Sequence, residues 1–188
     1  MCSKVKNIFH PVSGDELRKM LLFAVVCAVN LIFVFYHECW RDEAQAWLIA
    51  RDNSLGSLFS VTSYEGHPCL WFLILMPFAR AGLPYVSMRL ISFAFIAAAI
   101  WLIIYKLHFS MAMKAILSLS PMGLAFFVTP ARSYCLCALL TVLLIFAYRK
   151  RSSAPIMYGA LLAILLQVHI IMAGLVVSCC LTWGGTAS

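Results

Sequence analysis

Long apolar runs separated by short polar and charged stretches set the pattern of this chain. Apolar residues fill Met20–Tyr36, Tyr85–Tyr105, Met111–Thr129, Tyr134–Tyr148 and Ile156–Val177 with few interruptions. Runs of roughly 17–25 such residues have the length of membrane-crossing helices, and Tyr134–Tyr148, which is shorter, is expected to borrow Ala131–Ser133, so five spans are predicted. A sixth apolar run, Pro68–Ala79, has only about a dozen residues, the length of an interfacial or re-entrant segment. Between the first two spans the pattern changes: Ala44, Leu48, Leu55, Leu58 and Phe59 share a face at helical spacing, with Asp42, Glu43 and Asp52 elsewhere. That is the pattern of a helix lying along a membrane surface, with Gly56 as the predicted interruption.

Charge orients these elements. Lys4, Lys6, Arg18 and Lys19 precede the first run, which places segment 1–19 in the cytoplasm and the loop 37–84 outside. If Pro68–Ala79 crossed, Arg149-Lys150-Arg151 would emerge outside, against the positive-inside rule. If it stays on one side, Lys106, His108, Lys114 and Arg149-Lys150-Arg151 all fall inside, while Arg89 and Arg132 reach the outer face. The predicted fold is therefore an all-α polytopic transmembrane bundle, residues 20–181, with an interfacial helix and a re-entrant segment in its first outer loop. Segment 182–188 is a short tail.

Composition agrees and narrows the classes. Of 188 residues 64% are hydrophobic and 11% charged, against about half and a quarter in a soluble domain. The net charge of +7 sits at the ends of apolar runs rather than on a basic face with interleaved aromatics, so nucleic acid is not an expected partner; membrane lipid is. The first run lacks a small-residue cleavage pattern and reads as a signal anchor. The cysteines lack the paired spacing of a zinc site. Cys39 and Cys69 both fall outside and flank the acidic loop, where a disulfide is one expectation.

The seven acidic residues are unevenly placed: Glu38, Asp42, Glu43, Asp52 and Glu65 all lie in the first outer loop. Carboxylates gathered on one side of a membrane point to binding or chemistry. Asp42 is either a base at the water–membrane boundary or, with Gln45 three residues on, a helix cap. Glu43 is either its partner carboxylate or a favourable charge in a first helical turn. Glu65 and His67 either bind an acceptor or phosphate or are solvated loop residues. With Asp42 they are also ligand types that suit a divalent metal. Arg89 and Arg132 either hold a phosphate or snorkel to headgroups, and Tyr134 either adds a hydrogen bond or is an interfacial tyrosine. Gln167 and His169 are polar positions in the last apolar run, suited to function or to interhelical hydrogen bonding.

Asp42-Glu43-Ala44, Glu65-Gly66-His67-Pro68, Met88-Arg89-Leu90 and Ala131-Arg132-Ser133-Tyr134 follow one another in an order and spacing that resembles the N-terminal half of C-type (GT-C) membrane glycosyltransferases, the protein-mannosyltransferase and aminoarabinose-transferase group. The resemblance covers roughly residues 20–175. It implies an enzyme that moves a sugar from a polyprenyl-phosphate carrier to a glycan, lipid or protein acceptor at the outer face, in a bacterial inner membrane or an endoplasmic reticulum membrane. It implies Asp42 as the acidic catalytic residue with Glu43 beside it. Glu65, His67, Arg89, Arg132, Tyr134 and His169 are then the substrate-binding set. It also implies a longer relative, of which this chain resembles the N-terminal module. The competing classes are a non-catalytic membrane subunit, an inactive fragment and a transporter; a transporter would place its ionisable groups nearer the bilayer midplane.

Overall fold

A computed structural model describes residues 13–65, 68–120 and 131–184. The described residues form helices and turns with no strand: α1 (Gly14–Tyr36), α2 (Arg41–Asp52), α3 (Leu55–Glu65), α4 (Leu70–Arg80), α5 (Val86–Lys106), α6 (Met111–Leu119), α7 (Tyr134–Tyr148), α8 (Pro155–Leu166) and α9 (Met172–Gly184). The all-α expectation holds. Of the five expected spans, α1 and α5 alone among the described helices are long and apolar enough to cross a membrane. At 1.5 Å per residue each extends about 30 Å, a hydrocarbon thickness. The segment expected at Met111–Thr129 continues from α6 into residues 121–130, outside the described residues.

α1 starts at Ser13, whose hydroxyl accepts the Glu16 amide at 3.3 Å. Asp15 and Glu16 then suit the positive end of the helix and both pair with Lys19, at 2.6 and 2.8 Å. α5 presents Met88, Ser92, Ile96, Ile100 and Ile104, a ridge at four-residue spacing that packs into the grooves of its neighbours. α1, α6 and α7 lie against it. Near its far end Tyr105 meets Phe23 of α1 edge-on, with ring centroids 6.3 Å apart.

Three sequence expectations change. The surface helix is broken at Asn53-Ser54, not at Gly56. The Asn53 side chain returns to the Ile49 carbonyl at 3.1 Å and closes α2, while the Ser54 hydroxyl accepts the Ser57 amide at 3.1 Å and opens α3. Of the face expected to lie on the membrane, Leu48, Leu55 and Phe59 are exposed and Leu58 is buried; the face of α2 that packs inward is Glu43, Ala46, Trp47 and Ala50. The small Ala46 and Ala50 let α2 approach α4, which offers Trp71, Phe72, Leu75, Met76 and Ala79.

The largest change concerns Ile156–Val177. It is two helices, α8 and α9, joined by a turn around Gln167–Ile171. They run antiparallel: Tyr158 near the start of α8 meets Trp183 at the end of α9, with ring centroids 5.2 Å apart. Tyr158 also meets Tyr148 at the end of α7, so the last three helices fold back and forth. Gln167 and His169 therefore occupy a turn, not the middle of a span. The turn is tied to α4, because the Gln167 carbonyl accepts the Leu70 amide at 3.4 Å.

Cys39 and Cys69 are both free thiols, the first exposed and the second buried, so the anticipated disulfide is absent.

Candidate functional site

The C-terminal end of α1 and the N-terminal ends of α2, α5 and α7 meet at one end of the bundle, and most of the sequence-predicted site residues gather there. Gly82 helps bring them together. It ends α4 with φ of 75°, a left-handed conformation that glycine adopts without a Cβ clash. The Gly82 and Leu83 amides return to Ala79 and Phe78, both at 3.2 Å, a Schellman closure. Pro84 then leads into Tyr85, whose ring packs edge-on against Trp47 of α2 at 6.4 Å.

Glu43 is the hub of this end. It is fully buried and each carboxylate oxygen accepts two hydrogen bonds. Oε1 takes the Ala131 amide at 2.7 Å and lies 3.1 Å from His37 Nε2. Oε2 takes the Tyr85 hydroxyl at 2.5 Å and the Trp40 amide at 3.4 Å. A carboxylate has about four lone-pair directions, so this one is saturated. The single side chain ties together the approach to α2, the start of α5 and the approach to α7. Burial, then hydrogen bonding to Cys39 and to Glu43 with its charge, pushes the Tyr85 phenol above its ordinary pKa. Tyr85 accordingly stays a donor.

Asp42, one residue earlier, points the other way. Its side chain is 55% exposed, and its Oδ2 accepts Arg132 Nη1 at 2.6 Å; the Arg132 side chain is 21% exposed. Asp42 is the second residue of α2 and so is not its N-cap. That position is Trp40, whose amide is capped by the Glu43 side chain. Arg132 is positioned from behind, since its carbonyl accepts the Cys135 thiol at 3.1 Å. Asp42 thus combines solvent access with a guanidinium in direct contact.

Arg89 turns toward α1. Its Nη1 donates to the Val34 carbonyl at 3.3 Å, one of the carbonyls a helix C-terminus leaves unpaired, and its guanidinium carbon lies 5.4 Å from the Tyr85 ring centroid. Tyr134 and His169 stack with ring centroids 5.0 Å apart. His169 Nδ1 accepts the Ile171 amide at 3.1 Å, which leaves the proton of a neutral ring on Nε2. The side chain of Glu65, at the end of α3, and all of His67 lie outside the described residues. Among the described residues no three His, Cys, Asp or Glu side chains converge as metal ligands, and Glu43 has no free lone pair to offer a cation.

Two residues at this centre escaped the sequence reading. His37 opens the acidic loop and Tyr85 precedes Met88-Arg89-Leu90, so both lie beside quoted motifs. Neither carries a signal of its own, because an interfacial tyrosine and a loop histidine are ordinary.

No protein-family model, curated protein or solved structure matches this chain.

Proposed function

We propose that this chain is the N-terminal module of a membrane glycosyltransferase that takes a sugar from a polyprenyl-phosphate carrier and gives it to an acceptor hydroxyl or amine at the outer membrane face. In this reading the N-terminus is cytoplasmic, in a bacterial inner membrane or an endoplasmic reticulum membrane. α1, α5 and the shorter apolar helices form the bundle, α2 and α3 lie along the outer boundary, and α4 stays on that side. At about 16 Å, α4 is too short to cross.

The observation that carries this reading is the contact between Asp42 and Arg132, 2.6 Å apart and partly open to solvent. The chemistry needs a base for the acceptor and a cation for the departing phosphate, close enough to serve one reacting centre. A half-exposed carboxylate suits the first role. A planar guanidinium suits the second, because it binds phosphate oxygens in pairs and stabilises the charge that develops on them. Before the donor arrives each group neutralises the other. A carrier phosphate would compete for Arg132 and release Asp42 toward the acceptor, and one displacement at the anomeric carbon inverts it.

Glu43 acts in this scheme as a positioning residue. Its four hydrogen bonds hold the backbone on both sides of the pair: Ala131 precedes Arg132, and Trp40 precedes α2. Arg89 and Tyr85 brace the same end, while Tyr134 and His169 form the aromatic wall on the side of the α8–α9 turn.

The test is transfer from a polyprenyl-phosphate sugar by membranes carrying the full chain, or the longer protein that contains it, with and without Asp42→Asn. Loss of transfer at unchanged expression and insertion supports the reading. Full activity of Asp42→Asn removes it.

A further inference from the structure

The opposite end of the bundle holds a cavity of about 590 Å³, lined chiefly by Asp15, Lys19, Lys106, His108, Ser110 and Lys114. We infer that this cavity binds a phosphate group, that of an anionic phospholipid headgroup or of a free phosphate.

The central observation is Lys114. It is 6% exposed and its side chain makes no hydrogen bond or ion pair with another described residue, yet it lines the cavity. The stem of Lys114 is covered while its ammonium nitrogen is not sealed off, so the charge opens to the cavity, where an anion is its favourable companion. Asp15 is the one carboxylate of the lining, and Lys19 already holds it at 2.6 Å. Lys114 influences Asp15 through its field, without contact.

The surrounding elements add positive potential. Lys114 lies in the first turns of α6, which begins after Ser110 and has no acidic residue in its first turn. A helix N-terminus is the positive end of the macrodipole, so a cation there is unfavourable and an anion favourable. Lys106 adds a third lysine, its ammonium 5.2 Å from the Trp101 ring centroid. The lining thus holds three lysines against one carboxylate, at the end of α1 and α5 remote from Asp42. Basic pockets between helices at a membrane boundary have the chemistry that recognises phosphate headgroups, and Tyr105 and Trp101 supply aromatic surface at that level.

The full chain, purified in detergent, is offered phosphatidylglycerol, phosphatidylcholine or inorganic phosphate, and retained lipid and thermal stability are measured. Preferential retention of phosphatidylglycerol, weakened about fivefold by Lys114→Gln, supports the site with a lipid as source. Stabilisation by inorganic phosphate that displaces the lipid supports the site with a free phosphate as source. Equal retention of both lipids with no response to phosphate overturns it, as does Lys114→Gln binding like wild type. If Lys114→Gln fails to fold, exposed Lys106→Gln carries the same test. The readout is binding, so its outcome is independent of any transferase activity.

Discussion

Arg132 and Asp42, ninety positions apart in sequence, meet at 2.6 Å at an end of the bundle where four helices converge. Because both side chains are partly open to water, the pair contributes little to stability, at most about 1 kcal/mol. Asp42→Asn and Arg132→Gln should therefore unfold within about 1 kcal/mol of wild type, and a double-mutant cycle should return a small coupling. Their effects on transfer should be large: about 10²–10⁴-fold for the base and about 10²–10³-fold for the cation. Chemical unfolding in detergent beside a transfer assay checks both halves.

Glu43 should behave in the opposite way. Glu43→Gln replaces an acceptor oxygen with an amide donor that faces existing donors, whichever way the side chain is turned. The cost is roughly 2–4 kcal/mol, from lost charge-assisted bonds and a buried donor left unpaired. A loss of thermal stability far exceeding that of Asp42→Asn is the expected result. Equal stability of the two variants would mean that Glu43 does not hold this end together.

The contrast between these adjacent carboxylates shows where sequence reading succeeds and stops. The gathering of Asp42, Arg89 and Arg132 at one end was legible because apolar run lengths and charge bias fix which helix ends coincide. The extents of α5 and α7 and the end of α1 at Tyr36 were legible for the same reason, whereas the start of α1 was not, because Gly14–Lys19 is polar yet helical. Which carboxylate turns inward was not: Leu48, Leu55 and Phe59 outweigh Ala46 and Ala50 in any hydrophobic pattern, yet they are the exposed ones. In a largely apolar chain, hydrophobicity no longer marks the buried face, and small residues that permit close approach mark it better. The α8–α9 turn was hidden for a related reason. Gln167 and His169 are the only polar residues between Tyr158 and Ser178, too few to distinguish a hairpin from one helix with polar positions.

The pH dependence of the Glu43 hub follows from Tyr85. Burial and the neighbouring carboxylate raise the phenol above its ordinary value, which is about 10 in an unfolded chain. A raised folded pKa gives stability that is complete below the unfolded value and is lost as pH rises through the folded one. The stability difference between wild type and Tyr85→Phe should therefore be constant from pH 6 to 9, at roughly 1.5–3 kcal/mol for a bond to a charged acceptor. Above about pH 10 it should shrink. A difference that instead grows with alkaline pH would show that Tyr85 does not donate to Glu43.

The fold-back of α8 and α9 makes a prediction that a continuous last span does not. Tyr148, Tyr158 and Trp183 cluster through ring contacts, so the end of α9 lies at the same end of the bundle as Arg149-Lys150-Arg151. Single cysteines at 150 and 183, in a background without native cysteines, should label from the same side of the membrane, and those at 42 and 132 from the other. A helix crossing at Ile156–Val177 would instead put 183 on the side of 42. It would also leave Trp183 about 37 Å from Tyr158 along a continuous helix, where the two rings could not touch. Labelling of 183 together with 42 would thus overturn the hairpin, and with it the placement of His169 beside Tyr134.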